Sequence, residues 1–302
     1  MENYNVNYSV HLPSYSIGPD CYNEVPYVTR FFGKTAVVLG GETAMEKAKP
    51  ALLKGVEGSD VELLGFLPYG GDSTYENGNA LIANPLVQKA DMIFAMGGGR
   101  ACDTGKYVAD KLDKPLFTFP TVASNCASVT AISVIYNTDG SFREYYYPKL
   151  ANHCFINSAV IADSPEQLLW AGIGDALSKE CEAIFSSKDD TLAHCVYYGS
   201  TVTEHGHHHL HGEVVSLGVL CLLEHAGQFE EEDRLMRFND SIGLPVCFDD
   251  VEIQESEFDK MADKFMQTTE WAHMPQGVTR ENFLESMRRE NAKGRAFKAA
   301  KK

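Results

Sequence analysis

Residues 91–106 read DMIFAMGGGRACDTGK, and this stretch decides the fold class. Its first half is a short apolar run suited to one buried strand, and its second half has the spacing of a helix. Gly97, Gly98 and Gly99 stand between them, where residues without a Cβ allow a tight turn and a close approach to a phosphate. The free amides and the dipole of the following helix favour a bound anion. The stretch therefore predicts a strand–turn–helix unit, which is either a phosphate site or a tight turn without a ligand.

The rest of the first half also alternates short apolar runs with helical segments. Further strands are predicted at residues 35–39, 61–67 and 115–119, followed by a hairpin over 133–147 and a last strand that ends near residue 162. Pro50 and Pro85 are expected to interrupt the helices that contain them. Strand signals stop after residue 163, and the remainder is helical. We predict an α/β chain, with a doubly wound parallel sheet first and an all-helical, truncated part second.

Composition excludes several classes of function. The net charge of −16 argues against nucleic-acid binding, which needs a basic surface to neutralise phosphates. The polar start MENYNVNYSV lacks the apolar segment of a signal peptide, and no stretch is long and apolar enough to span a membrane. Eight scattered cysteines without a CxxC pair favour free thiols. These features predict a cytoplasmic protein with no nucleic-acid or membrane partner.

Three further segments carry residues suited to chemistry. Residues 120–130, PTVASNCASVT, follow a predicted strand at the sheet edge where ligands of such folds bind. Asp175 lies in the apolar stretch GIGDAL, where a buried carboxylate is costly unless it is paired or binds a metal. Five histidines fall within residues 205–211, and histidine with aspartate suits Zn²⁺ or Fe²⁺. Each segment also has a plain interpretation: a polar loop, an Asp that caps a helix break at Gly172 and Gly174, and a surface histidine cluster.

Taken in order, these segments resemble the iron-containing alcohol dehydrogenase family in its glycerol dehydrogenase branch. The matching stretches are GGGRACDTGK, PTVASNCASVTAISVIYNTDG, AGIGDALSKECEA, AHCVYYGSTVTEHGHHHLHGEVVSLG and WAHMPQGVTRENF. The resemblance implies a dinucleotide-binding domain over residues 1–163 and a helical metal and substrate domain over 164–302. It also implies hydride transfer between NAD or NADP and a small alcohol, polyol or 2-hydroxy acid, with Zn²⁺ or Fe²⁺ bound. Whether the chain forms a homo-oligomer stays open.

The same resemblance implies roles for individual residues. Asp175, His194 and His211 would be the metal ligands and so the catalytic residues. The residues that would bind the cofactor are Gly98, Gly99, Arg100, Asp103, Thr121, Ser124, Thr130, Ile132 and Tyr136. Gly41 stands where NAD-preferring relatives have an Asp, which leaves NADP open.

Cys126 would face the substrate, at a position where glycerol dehydrogenases carry an Asp that helps to hold the polyol. A thiol cannot accept hydrogen bonds from hydroxyl groups as a carboxylate does. The SNCAS pattern is instead similar to that of the hydroxycarboxylate dehydrogenases of this branch. We therefore expect a preference for 2-keto or 2-hydroxy acids over glycerol.

The spacing of the implied metal ligands departs from the family. His194 and His211 have the family's separation, but Asp175 and His194 are only 19 residues apart, as if several helices had been deleted between them. In a tight antiparallel hairpin, Asp175 would lie ~18 Å before the turn and His194 ~6 Å after it, a mismatch of roughly 10 Å. Either the first helix breaks early, at Gly174, and lets Asp175 approach His194, or the three donors do not converge as in relatives. We expect the second outcome, with weakened metal binding and low or absent turnover. Two alternatives follow: a degenerate member that binds cofactor without turnover, and a histidine-rich metal-binding protein that uses residues 205–211.

Overall fold

The structure, a computed structural model, describes residues 12–185, 192–272 and 277–301. These residues form two compact units. The first unit runs to Val122 and also contains Cys126–Ile135 and Glu144–Asp163. The second contains Ala123–Asn125, Tyr136–Arg143 and the chain from Ser164 onward.

The first unit is built on a six-stranded sheet in which every neighbouring pair of strands is parallel. The strands are β1 (Ser14–Gly18), β2 (Thr35–Gly40), β3 (Glu62–Pro68), β4 (Met92–Gly97), β5 (Leu116–Pro120), β6 (Ser133–Tyr136), β7 (Phe142–Tyr146) and β8 (His153–Asn157). Six of them form the large sheet in the order β1-β8-β5-β4-β2-β3, and β6 pairs with β7 in a separate hairpin. The helices of this half are α1 (Val25–Thr29), α2 (Glu42–Val56), α3 (Tyr75–Ile82), α4 (Pro85–Lys89), α5 (Gly99–Lys111) and α6 (Ser158–Ala162). The order of the strands confirms the predicted doubly wound parallel sheet.

The central strands β2, β4 and β5 are buried on both faces of the sheet, which is why they are continuous apolar runs. In β2, the adjacent residues Val37 and Val38 belong to two different core clusters, one on each face. One face is filled by aromatic rings, among which Phe119 and Phe155 stack with their centroids 4.9 Å apart. Helix α2 closes over this face with a buried side chain at nearly every turn.

Three local predictions were wrong. Strand β1 was not expected, because its residues SYSIG are largely exposed and form an edge strand without an apolar run. The last strand ends at Asn157, whose side chain accepts hydrogen bonds from Ala159 and Val160 and so starts helix α6. Helix α2 continues through Pro50, which is exposed, so water can satisfy the carbonyl group that loses its partner. Pro85 does mark a break, since it is the first residue of α4.

The second unit is helical. Its helices are α7 (Glu166–Phe185), α8 (Leu192–Ser200), α9 (His211–His225), α10 (Phe229–Ser241), α11 (Phe258–Phe265), α12 (Thr269–Ala272) and α13 (Arg280–Ala299). Helix α9 is apolar on all sides and buried from Gly212 to Glu224, and α7, α8, α10 and α13 pack around it. Among the described residues, no helix is long and apolar enough to cross a membrane.

Candidate metal centre and cofactor turn

Glycines bring helices α7 and α9 unusually close together. A Cβ on Gly212 would lie 1.7 Å from the carbonyl oxygen of Ala171, and a Cβ on Gly174 would lie 2.5 Å from that of Gly212. Only glycine permits such a separation between the two helix backbones. The GIGD stretch is therefore a packing surface inside a continuous helix, and the interpretation of Asp175 as the cap of a helix break is wrong. The close approach sets Asp175 opposite His211, the first residue of α9.

The three residues implied as metal ligands converge. Asp175 Oδ1 lies 3.0 Å from His211 Nε2 and 3.5 Å from His194 Nε2. One ligand atom from each of the three residues falls within 4.8 Å of the others. The Asp175 side chain is almost fully buried, His194 is nearly so, and His211 is about a quarter exposed. The geometry is that of a small, half-enclosed set of nitrogen and oxygen donors.

The expected mismatch of roughly 10 Å between Asp175 and His194 does not occur. That estimate assumed two antiparallel helices joined by a tight turn. Helix α8 instead packs mainly against α9 and α11, and touches α7 little. The His194 ring thereby reaches the face of α7 that carries Asp175. The expectation that the short spacing pulls the donors apart was wrong.

A fourth residue, Glu182, orients the His194 ring. Glu182 lies seven residues after Asp175, two turns along the same face of α7, and its Oε1 is 2.9 Å from His194 Nδ1. The carboxylate can only accept, so Nδ1 carries the proton and donates it. Nε2 is then left with its lone pair facing Asp175. A carboxylate that fixes the tautomer in this way is the usual outer partner of a metal-bound histidine.

The pKa values of the three candidate ligands are displaced by this mutual contact. Burial acts to raise the pKa of Asp175, but its contacts with His194 and His211 outweigh burial and leave that pKa below its ordinary value. Burial alone would lower the pKa of His194, yet the neighbouring carboxylates of Asp175 and Glu182 raise it. Burial lowers the pKa of His211, which Asp175 opposes only in part. Asp175 is thus an anion at neutral pH, ready to balance a cation.

Two residues of this cluster were missed from the sequence. Glu182 and Lys179 lie seven and four residues after Asp175, so helical spacing alone places all three on one face. Lys179 Nζ lies 3.2 Å from Asp175 Oδ1 and 2.9 Å from His194 Nε2. The signal in the sequence was the helical period of the charged residues at positions 175, 179 and 182.

The histidines at 205–209 do not join this cluster. The rings of His207 and His208 contact each other at a tilt of 56° with their centroids 3.9 Å apart, and His209 lies 3.7 Å from Glu213 and 3.5 Å from Glu252. Among the described residues, the grouping of three metal-binding side chains is the one formed by Asp175, His194 and His211. The structure gives the histidine-rich alternative no second group of donors within those ranges.

In the first unit, the glycine turn has the form that the sequence predicts. Strand β4 ends at Gly97, whose φ of 145° lies in the region that favours glycine. Gly98 precedes α5 in an extended conformation without a side-chain cap, and Gly99 is the first helical residue. The first amide groups of a 13-residue helix are thereby left without partners in the helix. Thr121 N donates to Gly97 O at 3.2 Å, so the ends of β4 and β5 lie side by side at this turn.

Several other predicted cofactor residues have structural partners in this unit. Arg100 pairs with Asp72 at 3.4 Å. Asp103 is buried, pairs with Lys106 at 2.8 Å and accepts the Val134 amide hydrogen at 3.1 Å. The role of Arg100 and Asp103 at the cofactor stays a prediction.

The buried Lys106 ammonium group donates hydrogen bonds to the carbonyl groups of Thr130 and Ile132, in the segment before β6. Thr121 is buried, while the Ile132 side chain is 40% exposed. Cys126 is exposed and begins a short turn over Ala127–Val129.

Ser124 and Tyr136 belong to the second unit. Ser124 is half-buried, and Tyr136 is buried with its hydroxyl 3.0 Å from that of Tyr197. The Tyr197 ring meets His211 edge-on, with the centroids 4.2 Å apart. Tyr136 is therefore connected to a candidate metal ligand through Tyr197.

Known proteins are similar to this chain over most of its length. The glycerol dehydrogenase of Thermotoga maritima is 26% identical over 302 positions, which cover 76% of this chain and 82% of that protein. Hydroxycarboxylate dehydrogenase A of Escherichia coli is 36% identical over 110 positions, 36% of this chain and 30% of that protein. The crystal structure of a probable glycerol dehydrogenase from Sinorhizobium meliloti has the same fold, with a TM-score of 0.84 at 21% identity over 95% of this chain and 99% of that one.

The first of these alignments also bears on the short spacing between the metal ligands. It extends over 302 positions but uses only 76% of this chain, so the Thermotoga protein has residues that this chain lacks. Their position between Asp175 and His194 stays a prediction. A sequence model of the iron-containing alcohol dehydrogenases matches residues 13–164, half of the chain. The chain therefore belongs to the iron-containing alcohol dehydrogenase family.

Proposed function

We propose that this protein is a metal-dependent oxidoreductase that transfers hydride between NAD or NADP and a small alcohol, polyol or 2-hydroxy acid. One observation carries the proposal: Asp175, His194 and His211 converge in a chain of this family although the sequence between two of them is short. The short spacing was the reason to expect a degenerate protein. With the donors in contact, that alternative and the histidine-rich one are not favoured.

The donor set fits a divalent metal. A tetrahedral site with bonds of about 2.0–2.1 Å has donor atoms about 3.3–3.4 Å apart. The 3.0 and 3.5 Å separations around Asp175 Oδ1 lie close to that value. One carboxylate and two imidazoles suit Zn²⁺ or Fe²⁺ and leave a position open for a substrate oxygen. We assign Asp175, His194 and His211 as the metal ligands.

When bound, the metal would polarise the alcohol oxygen and the nicotinamide would exchange the hydride. The residues of the protein would position the metal and balance its charge. Asp175 supplies a buried negative charge, and Glu182 holds the His194 ring with Nε2 available. The turn at 97–99 and the first amide groups of α5 would bind the pyrophosphate of the cofactor. We therefore assign cofactor binding to residues 1–163 and the metal and substrate to residues 164–302.

The names of the relatives limit the candidate substrate classes. They are named for glycerol and for hydroxycarboxylates, so both classes are candidates for this chain. Cys126 in place of a polyol-binding carboxylate favours the 2-hydroxy and 2-keto acids. We also infer a cytoplasmic location, supported by eight cysteines that are all free thiols in this structure.

The test is a cofactor assay with the metal controlled. Chain loaded with Zn²⁺ or Fe²⁺ should oxidise NADH or NADPH with a panel of 2-keto acids, or reduce NAD(P)⁺ with glycerol. His211→Ala should abolish turnover, and Gly99→Glu should weaken NADH binding in calorimetry because a carboxylate would enter the phosphate turn. Absence of turnover with either metal and either substrate class, or undiminished turnover by His211→Ala, would contradict the proposal.

A further inference from the structure

Lys179 places its ammonium group inside the candidate metal centre. Its Nζ lies 2.9 Å from His194 Nε2, 3.2 Å from Asp175 Oδ1 and 3.4 Å from Ser178 Oγ. About half of the Lys179 side chain is exposed, so the ammonium could instead extend into solvent. It turns inward, where it donates to two of the three atoms that would hold a metal.

The distances show which position Lys179 takes. Donor atoms around a tetrahedral metal are about 3.3–3.4 Å apart. Lys179 Nζ lies 3.2 Å from Asp175 Oδ1 and 2.9 Å from His194 Nε2. Its ammonium group therefore lies at or beside the place where a metal bound by these two atoms would be.

An ammonium group cannot remain there once a metal has bound. It has three hydrogens and no lone pair, so it offers nothing to a metal. Its positive charge would lie within about 4 Å of a divalent cation bound by the same two atoms, which is strongly repulsive in a poorly hydrated site. The inward position of Lys179 and an occupied metal site therefore exclude each other.

The charges of the cluster explain why Lys179 turns inward. Asp175 and Glu182 are both more than nine-tenths buried, and His194 lies between them. A positive charge beside buried carboxylates lowers the cost of burying their negative charge. Lys179 supplies one positive charge on the same face of α7.

We propose that Lys179 is a tethered cation that closes the metal site of this chain until a divalent ion displaces it. The proposal rests on the assignment of Asp175, His194 and His211 as metal ligands. It has two consequences of opposite sign. The metal-free protein gains stability from Lys179, and the metal binds more weakly because it must first displace the ammonium group.

The experiment compares Lys179→Met with the wild-type chain, without substrate or cofactor. Lys179→Arg keeps the charge, and Lys260→Met removes one positive charge from an exposed position on α11. The affinity for Zn²⁺ is measured by calorimetry in competition with a chelator, and the melting temperature is measured in EDTA. Lys179→Met should bind Zn²⁺ about tenfold more tightly and melt at a lower temperature in EDTA. Lys179→Arg and Lys260→Met should both bind Zn²⁺ like the wild-type chain.

The outcomes separate this inference from the proposed function. If all variants bind Zn²⁺ with the wild-type affinity, the tethered cation is refuted and the metal site stands. If Lys179→Met binds more weakly, Lys179 assists the site and the inference is also overturned. If no variant, Lys179→Met included, binds Zn²⁺, the assignment of the metal ligands fails and this inference fails with it.

Discussion

Replacing Glu182 by Gln tests whether His194, a proposed metal ligand, depends on its outer partner. Glu182 is 7% exposed, and its Oε1 accepts the Nδ1 hydrogen of His194 at 2.9 Å. Gln keeps the size and an accepting oxygen but loses the charge. A hydrogen bond to a charged group contributes about 1.5–3 kcal/mol and a neutral one about 0.5–1.5 kcal/mol. The variant should therefore lose about 1–1.5 kcal/mol of the energy that orients the ring.

That loss corresponds to a metal affinity roughly 5- to 12-fold weaker, since 1.4 kcal/mol is a factor of ten. The assay is competition between the chain and a coloured chelator for Zn²⁺. Glu180→Gln is the matched control, because it removes the same charge from an exposed neighbouring position on α7. Equal Zn²⁺ affinity for Glu182→Gln and the wild-type chain would refute the role of Glu182, as would an equal loss in Glu180→Gln.

Three further predictions follow from the packing, the charges and the substrate position. Gly212→Ala should lower the free energy of unfolding by about 2–3 kcal/mol in urea titrations and should weaken Zn²⁺ binding. The new methyl group would collide with the Ala171 carbonyl group and push α7 away from α9. A variant with wild-type stability would contradict the close packing of the two helices. Glu290 is fully buried, and both its carboxyl oxygens lack a described hydrogen-bond partner. Burial, and then the charges of neighbouring carboxylates, raise the pKa of Glu290 well above its ordinary value. The free energy of unfolding therefore falls as pH rises through and above the ordinary carboxyl range. Glu290→Gln should therefore raise the free energy of unfolding more at pH 8 than at pH 5, because the buried carboxylate costs up to about 1.4 kcal/mol for each pH unit above the ordinary carboxyl pKa. Urea titrations at both pH values test this, and an equal change in the free energy of unfolding at pH 5 and pH 8 would contradict it. Cys126→Asp should raise kcat/KM for glycerol relative to 2-oxobutyrate, because a carboxylate accepts hydrogen bonds from a polyol; an unchanged ratio would remove Cys126 from the substrate site.

The sheet was predictable because burial on both faces leaves a local signal. Strands β2, β4 and β5 are runs of apolar residues that need no knowledge of their neighbours. Edge strand β1 has no such run, since it pairs only with β8 and remains largely exposed. Asn157, at the end of the neighbouring strand β8, shows a second limit, because one side-chain cap decides that the apolar residues after it form a helix.

The ligands of the candidate metal centre could be named from the sequence, but their distances could not. The distance estimate assumed that residues 175–194 form two straight antiparallel helices that pack against each other. Helix α8 packs instead on α9 and α11. The close approach of α7 and α9 depends on Gly174 and Gly212, whose meaning appears only when both helices are in place. Lys179 was predictable as a neighbour of Asp175 by helical spacing, but its inward direction depends on His194, which comes from another helix.

The central claim is that Asp175, His194 and His211 bind one catalytic metal. X-ray absorption at the zinc edge, with metal content measured on the same dialysed samples, tests it most directly. We predict one Zn²⁺ per chain, with nitrogen and oxygen neighbours at about 2.0–2.1 Å, a signal from two imidazoles and no sulfur. His211→Ala should lose one of those imidazoles and most of the metal. Sulfur neighbours, a spectrum unchanged by His211→Ala, or chains that retain no metal would contradict the account.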